Sequence, residues 1–113
     1  MKPKLILGGK SSGKTTRLLE TVKWLKALIV CSTQQQALVL RKNMFKQKGY
    51  ENVYAITVSE YSSAYGKQYD IVCFDEYDPR NHCVALETLL SMSKIQPVLT
   101  QSLDNEHFDI EII

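Results

Sequence analysis

Residues 8–15, "GGKSSGKT", set Gly8, Gly13, Lys14 and Thr15 in the pattern G-x-x-x-x-G-K-[ST]. The chemistry that such a spacing serves is the holding of a polyphosphate. Backbone N–H groups at a helix start can surround phosphate oxygens when no side chain intrudes, and Gly8 and Gly13 permit that approach. Gly9, Lys10, Ser11 and Ser12 make the rest of the cradle. Lys14 is expected as an exposed loop cation for the outer phosphates, the Thr15 hydroxyl as a Mg²⁺ ligand, and Thr16 as a contact to the α-phosphate. A second constellation closes "IVCFDE" (71–76), where four apolar residues bury the run and deliver Asp75 and Glu76 to its carboxyl end. Ligands bind at that end of the strands in open α/β sheets. Asp75 is the candidate carboxylate for Mg²⁺, an ion that keeps several waters and takes few carboxylates. Glu76 is then the candidate to orient or deprotonate an attacking nucleophile. The bland alternatives are a glycine-rich structural turn and a solvated acidic turn capping the next helix. Asp78, followed by Pro79, fills the capping role better.

Such residues work only if strands and helices bring them together. Residues 4–7 read as the first strand. Leu18, Leu19, Val22 and Leu25 recur at helical spacing, so the glycine loop opens a helix from Lys14 to Lys26. "ALIVCS" (27–32) is a buried strand, and Thr33 caps the helix after it. There Ala37, Leu40 and Met44 share a face, with Leu38 and Phe45 as further candidates for it, and Gly49 stops the helix. "SEYSSAYGKQ" offers one helical turn that Gly66 ends. Further strands are expected at 52–59, 69–76, 96–102 and 108–113, and a helix from Asp78-Pro79 through Ala85, Leu89 and Met92. Short apolar runs alternating with helical periodicity give an α/β domain with a mainly parallel sheet and right-handed crossovers.

Composition narrows the function classes without choosing among them. A chain of 113 residues is one domain, 1–113. Fourteen Lys and Arg against twelve Asp and Glu give +2, which by itself implies no nucleic acid. No apolar run approaches the roughly 18 residues that cross a bilayer, so no membrane is expected. The apolar segment near the start is too short for a secretory leader, and a cytoplasmic location follows as the expectation, in the host cell if the protein is viral. Cys31, Cys73 and Cys83 show no C-x-x-C pair, and Cys31 and Cys73 lie in apolar runs where a free thiol packs as a small hydrophobe. Arg41, Lys42, Lys46 and Lys48 form a basic helix end, read as a solvated face with a nucleic-acid contact as the alternative. Tyr61, Tyr65 and Tyr69 follow at spacing four and read as core packing, with a base-stacking platform as the alternative. His82 and His107 have no ligand pattern, and Arg80 is a surface residue unless it reaches a neighbouring subunit's phosphate.

The two motifs together resemble the Walker A and Walker B motifs of P-loop NTPases. A Glu directly after the Walker B Asp resembles the branch with a catalytic glutamate, which includes RecA-like, AAA+ and helicase ATPases. The resemblance implies a single-domain three-layer RecA-like fold, ATP as the nucleotide, and a strand lying between the two Walker strands with a polar sensor at its end. Thr100, Gln101 and Ser102 occupy that place, and Gln101 is the candidate. "ALIVCSTQQQALVLR" with "YDIVCFDEYD" is similar to the first RecA-like domain of helicases, which would put Thr33 on a nucleic-acid backbone. "GGKSSGKTTRLLE", "DIVCFDE" and "PVLTQSLDNEHF" are also similar to thymidine kinase of the zinc-carrying type, in which Glu76 would act on a sugar hydroxyl. The zinc cysteines and the long nucleoside-enclosing loop of that family are missing.

The expected activity is therefore a small ATPase using Mg²⁺, with Lys14, Glu76 and Gln101 as its catalytic residues. One RecA-like domain covers one side of a nucleotide, so the expected partners are further copies of the chain or a larger ATPase, with DNA or RNA open. Two rivals stand beside it: a nucleoside kinase, and a nucleotide-binding module, viral or from a mobile element, that docks on a larger ATPase and turns over little.

Overall fold

The structure, a computed structural model, describes residues 4–7, 13–31, 33–57, 60, 67–76, 91–101 and 111–112. Within them the element order is β1 (Lys4–Leu7), α1 (Lys14–Val22), β2 (Ala27–Cys31), α2 (Gln34–Phe45), β3 (Val53–Thr57), β4 (Ile71–Asp75), β5 (Val98–Gln101) and β6 (Glu111–Ile112). The strands form one sheet in the order β3-β2-β4-β5-β1-β6, and every pairing is parallel. This is the expected α/β class with a parallel sheet. The expected helix at 78–92 lies mostly outside the described residues, as do Cys83, Arg80, His82, His107, Tyr61 and Tyr65.

Alternation along the strands decides which side chains meet the helices. Ile6, Ala27, Ile29, Cys31, Val53, Ala55, Ile71, Cys73 and Val98 share one face, and Leu18 and Val22 of α1 with Ala37, Leu40 and Met44 of α2 close over it as a single core. Leu28, Val30, Val72 and Leu99 alternate to the other face and are buried as well, as parallel sheets require. Asp75 is in phase with Ile71 and Cys73, so its carboxyl points to the face carrying α1 and α2. Cys31 and Cys73 are free and buried, and burial pushes both thiols up to about 12.

Several boundaries differ from the sequence expectation. Helix α1 stops at Val22 rather than Lys26, because Trp24 takes a left-handed φ of 69° and gives its N–H to the Gly49 carbonyl at 2.7 Å. Leu25 still packs against the core, from outside the helix. Gly49, with φ 102°, lies past the end of α2 and turns the chain toward β3. Leu38 and Phe45 do not join the buried face of α2 and are exposed. Arg41 is not part of a solvated basic end. Its Nε and Nη2 both donate to the Ala55 carbonyl, at 2.9 and 2.6 Å, and tie α2 to β3.

Candidate functional site

Strand register brings the polar residues into one row. Cys31 pairs with Asp75, Phe74 with Leu99 and Ile6 with Thr100, so Asp75 and Thr100 stand side by side at the carboxyl edge, next to the end of β1. Helix α1 opens beyond that same end of β1. Gly13 is its N-cap, with φ 90° and no side-chain hydrogen bond, and the first turn carries no acidic residue. The first-turn N–H groups of α1 are thus a positive end without an acidic side chain of their own helix. Gly13 meets the conformational demand that glycine serves best, a left-handed cap.

Asp75 is the centre of the cluster. It is 1% exposed. Thr100, fully buried, donates its hydroxyl to Asp75 Oδ1 at 2.8 Å and accepts the Glu76 backbone N–H at 2.7 Å. Thr15 Oγ1 faces both carboxylate oxygens, at 3.4 and 3.5 Å, and Gln36 Nε2 lies 3.5 Å from Oδ2. Only the Thr100 bond has the length of a strong hydroxyl–carboxylate bond; the other contacts are long and hold the groups facing one another. Burial pushes the Asp75 carboxyl above its ordinary range, and Glu76 pushes it further, while Thr100, Thr15 and Lys14 pull it down. The pull falls short, so the Asp75 carboxylate is under-compensated.

Lys14 corrects the picture of an exposed loop cation. It is the first residue of α1, is 4% exposed, and places Nζ 3.7 Å from Glu76 Oε1. Glu76 is partly exposed and has a left-handed φ of 57°, a conformation that non-glycine residues seldom adopt. The turn after β4 therefore holds Glu76 beside Lys14 at a conformational cost. Thr16 is exposed in the first turn of α1.

Other candidates fall elsewhere. Gly8, Gly9, Lys10, Ser11, Ser12 and Ser102 lie outside the described residues, as does the side chain of Gln101. Thr33 is a helix cap, its Oγ1 accepting the Gln36 N–H at 3.2 Å. Gln36 had no place among the sequence candidates. Its signal is a helix that starts just after β2, the strand beside β4. Among the described residues no group of three or more His, Cys, Asp and Glu gathers as a metal site, and no helix is long and apolar enough to cross a membrane.

No family model, curated protein or solved structure matches the chain.

Proposed function

We propose that this chain is a P-loop nucleoside triphosphatase that binds ATP with Mg²⁺ and hydrolyses it slowly on its own. The observation that carries the reading is the meeting of residues 60 positions apart, Thr15 Oγ1 within 3.4 Å of Asp75 Oδ1. A structural glycine turn would give no reason for the helix it opens to present Lys14 and Thr15 to an Asp-Glu pair. The strand order, with β5 between β1 and β4, agrees with the arrangement expected of the catalytic-glutamate ATPases.

Each residue takes a role that its surroundings support. Gly13 and the first N–H groups of α1 face the phosphates, the spacing of residues 8–12 in the sequence assigns them the rest of the cradle, and Lys14 neutralises charge on the outer phosphates. The donor set fits Mg²⁺: a hydroxyl and an under-compensated carboxylate are hard oxygens, and phosphates and water complete the shell. Bound there, Mg²⁺ would neutralise charge that develops on the phosphates. With so few protein ligands, the metal alone should bind weakly and the nucleotide should recruit it. Glu76 orients water for in-line attack on the γ-phosphate and accepts its proton. Thr100 holds Asp75 and the Glu76 backbone in register, and Gln101, next along β5, is the candidate sensor of the γ-phosphate.

Slow turnover follows from the arginines. Arg41 is committed to the Ala55 carbonyl. Arg17 lies one turn into α1, and the remaining arginine is Arg80. An arginine supplied from outside accelerates phosphoryl transfer about 10³–10⁵-fold, so a second protein surface is expected to complete the site. Turnover of ATP with and without DNA, RNA and deoxynucleosides tests this reading. Released phosphate that depends on Mg²⁺ and on Glu76 supports it. Phosphorylated nucleoside instead would make Glu76 the base of a kinase and overturn the hydrolase.

A further inference from the structure

The opposite rim of the sheet carries a second pattern, which does not depend on the nucleotide reading. Parallel strands all begin at one edge, and the residues leading into them gather there. Lys46 and Lys48 precede β3, Lys23 and Lys26 precede β2, Lys67 precedes β4 and Lys94 precedes β5, all of them exposed. The sheet order β3-β2-β4-β5 sets these lysines in a row across three strand spacings, about 14 Å. Two carboxylates on this rim are engaged by backbone: Asp70, half-buried, accepts the Lys26 N–H at 2.9 Å, and Glu51, exposed, accepts the Gly49 N–H at 3.2 Å. Glu20 is a further acid on this side among the described residues; burial raises the Tyr50 hydroxyl's pKa, and the nearby Glu20 charge adds to the rise. Helix C-termini favour a lysine or two here, but they do not call for aromatic rings in water.

The rings are there. Trp24 is 71% exposed and Phe45 is 92% exposed. Trp24 holds the left-handed backbone conformation noted above, which a side chain pays to adopt, and it does not use its ring to fill the core. The Lys23 ammonium stands 6.0 Å from the indole centroid. Phe45 forms a wall of an open groove of about 380 Å³ shared with Arg41, Tyr50 and Glu51. Both of these rings have a lysine next to them in sequence, in Lys23-Trp24 and Phe45-Lys46. A bilayer would want a continuous apolar face, and a protein partner would want fewer lysines at the centre of the patch. Rings interleaved with cations suit a strand whose bases stack and whose phosphates need neutralising.

We propose that this rim binds single-stranded nucleic acid, with Trp24 and Phe45 as stacking platforms and the row of lysines following the phosphates. It lies at the end of the sheet away from Lys14 and Asp75, so nucleotide and strand occupy separate sites.

Trp24 is the one tryptophan in the chain, so its fluorescence reads this site directly. The full-length protein, free of nucleotide, is titrated with oligothymidylate or oligouridylate of about 12 nucleotides, within the site sizes such surfaces cover. Saturable quenching is expected. With three to four phosphates neutralised, the slope of log affinity against log salt is about −2 to −3, or about 20–50-fold between roughly 50 and 200 mM. Phe45→Ala should weaken binding about fivefold or more. Lys46→Glu and Lys67→Glu, both far from the core, should each weaken it and flatten the salt slope. Lys14→Met should bind the strand as the wild type does. The inference is overturned by absent quenching at low salt, by charge reversals that change nothing, or by Lys14→Met abolishing binding. It is equally overturned if phosphatidylglycerol vesicles shift the fluorescence and oligonucleotides do not, or if the signal tracks protein concentration as in self-association.

Discussion

Thr100→Val removes one oxygen from the middle of the candidate site and almost nothing else. Valine matches threonine in shape, so no cavity forms at this fully buried position. Two hydrogen bonds are lost, the 2.8 Å bond to Asp75 Oδ1 and the 2.7 Å bond from the Glu76 N–H. A bond to a charged acceptor contributes about 1.5–3 kcal/mol, and stranding a buried donor costs about 1–3 kcal/mol. The two losses share one hydroxyl and will not add fully, so a destabilisation of about 3 kcal/mol is expected. For 113 residues the unfolding entropy makes 1 kcal/mol worth about 4 °C, hence a fall in Tm of roughly 12 °C. Thr100→Ser keeps the hydroxyl and loses a methyl, which costs about 1 kcal/mol. Urea unfolding monitored by circular dichroism compares the two variants. The Val variant should also need higher pH for Mg²⁺-dependent nucleotide binding, because the Thr100 bond holds down a carboxyl that burial raises. A Val variant as stable as the Ser variant would refute the bridging role.

The remaining predictions concern the same cluster and the core beneath it. Asp75→Asn should lose Mg²⁺-dependent binding yet gain stability over the wild type as pH rises. The raised Asp75 pKa favours the neutral form, whose stability is fully present below the ordinary 3.8 and is lost as pH rises through the folded value. Thermal melts of both proteins without nucleotide, from acid to neutral pH, check this; a constant difference would count against it. Glu76→Gln should keep ATP affinity and lose about 10²–10⁴-fold in turnover, whereas Lys14→Met should lose affinity itself. Phosphate-release and calorimetric measurements separate the two, and equal loss of affinity in both would remove Glu76 as a base. Cys31 and Cys73, pushed from 9.0 up to about 12, should be alkylated on the order of 10³-fold more slowly than in the unfolded chain. Mass spectrometry of peptides after iodoacetamide pulses reads the rate, and prompt labelling in the native protein would place these thiols at the surface.

The motif residues were legible because their spacing carries their purpose. Lys14 and Thr15 are fixed by the glycines before them, and Asp75 and Glu76 by the apolar run that ends on them. What sequence could not supply is adjacency. Gln36 reaches Asp75 because β2 lies beside β4, a neighbour relation that no local pattern encodes. Thr100 stands out from Gln101 and Ser102 only once the register of β5 against β4 is known. The end of α1 escapes the sequence for a similar reason: apolar periodicity continues through Leu25, but the distant Gly49 carbonyl captures the Trp24 N–H and breaks the helix. Lys14 reads as a loop cation in sequence, while its burial depends on the packing of α1 under the end of β4.

On the proposed reading, Lys14, Thr15, Asp75 and Glu76 form one Mg²⁺-dependent nucleotide site. Isothermal titration calorimetry of the wild-type protein with ATP, in Mg²⁺ and then in excess chelator, tests it most directly. A single site is expected, with an affinity that falls at least about tenfold, about 1.4 kcal/mol, when Mg²⁺ is withdrawn. No detectable binding of any nucleoside triphosphate, or binding that Mg²⁺ leaves unchanged, would contradict it.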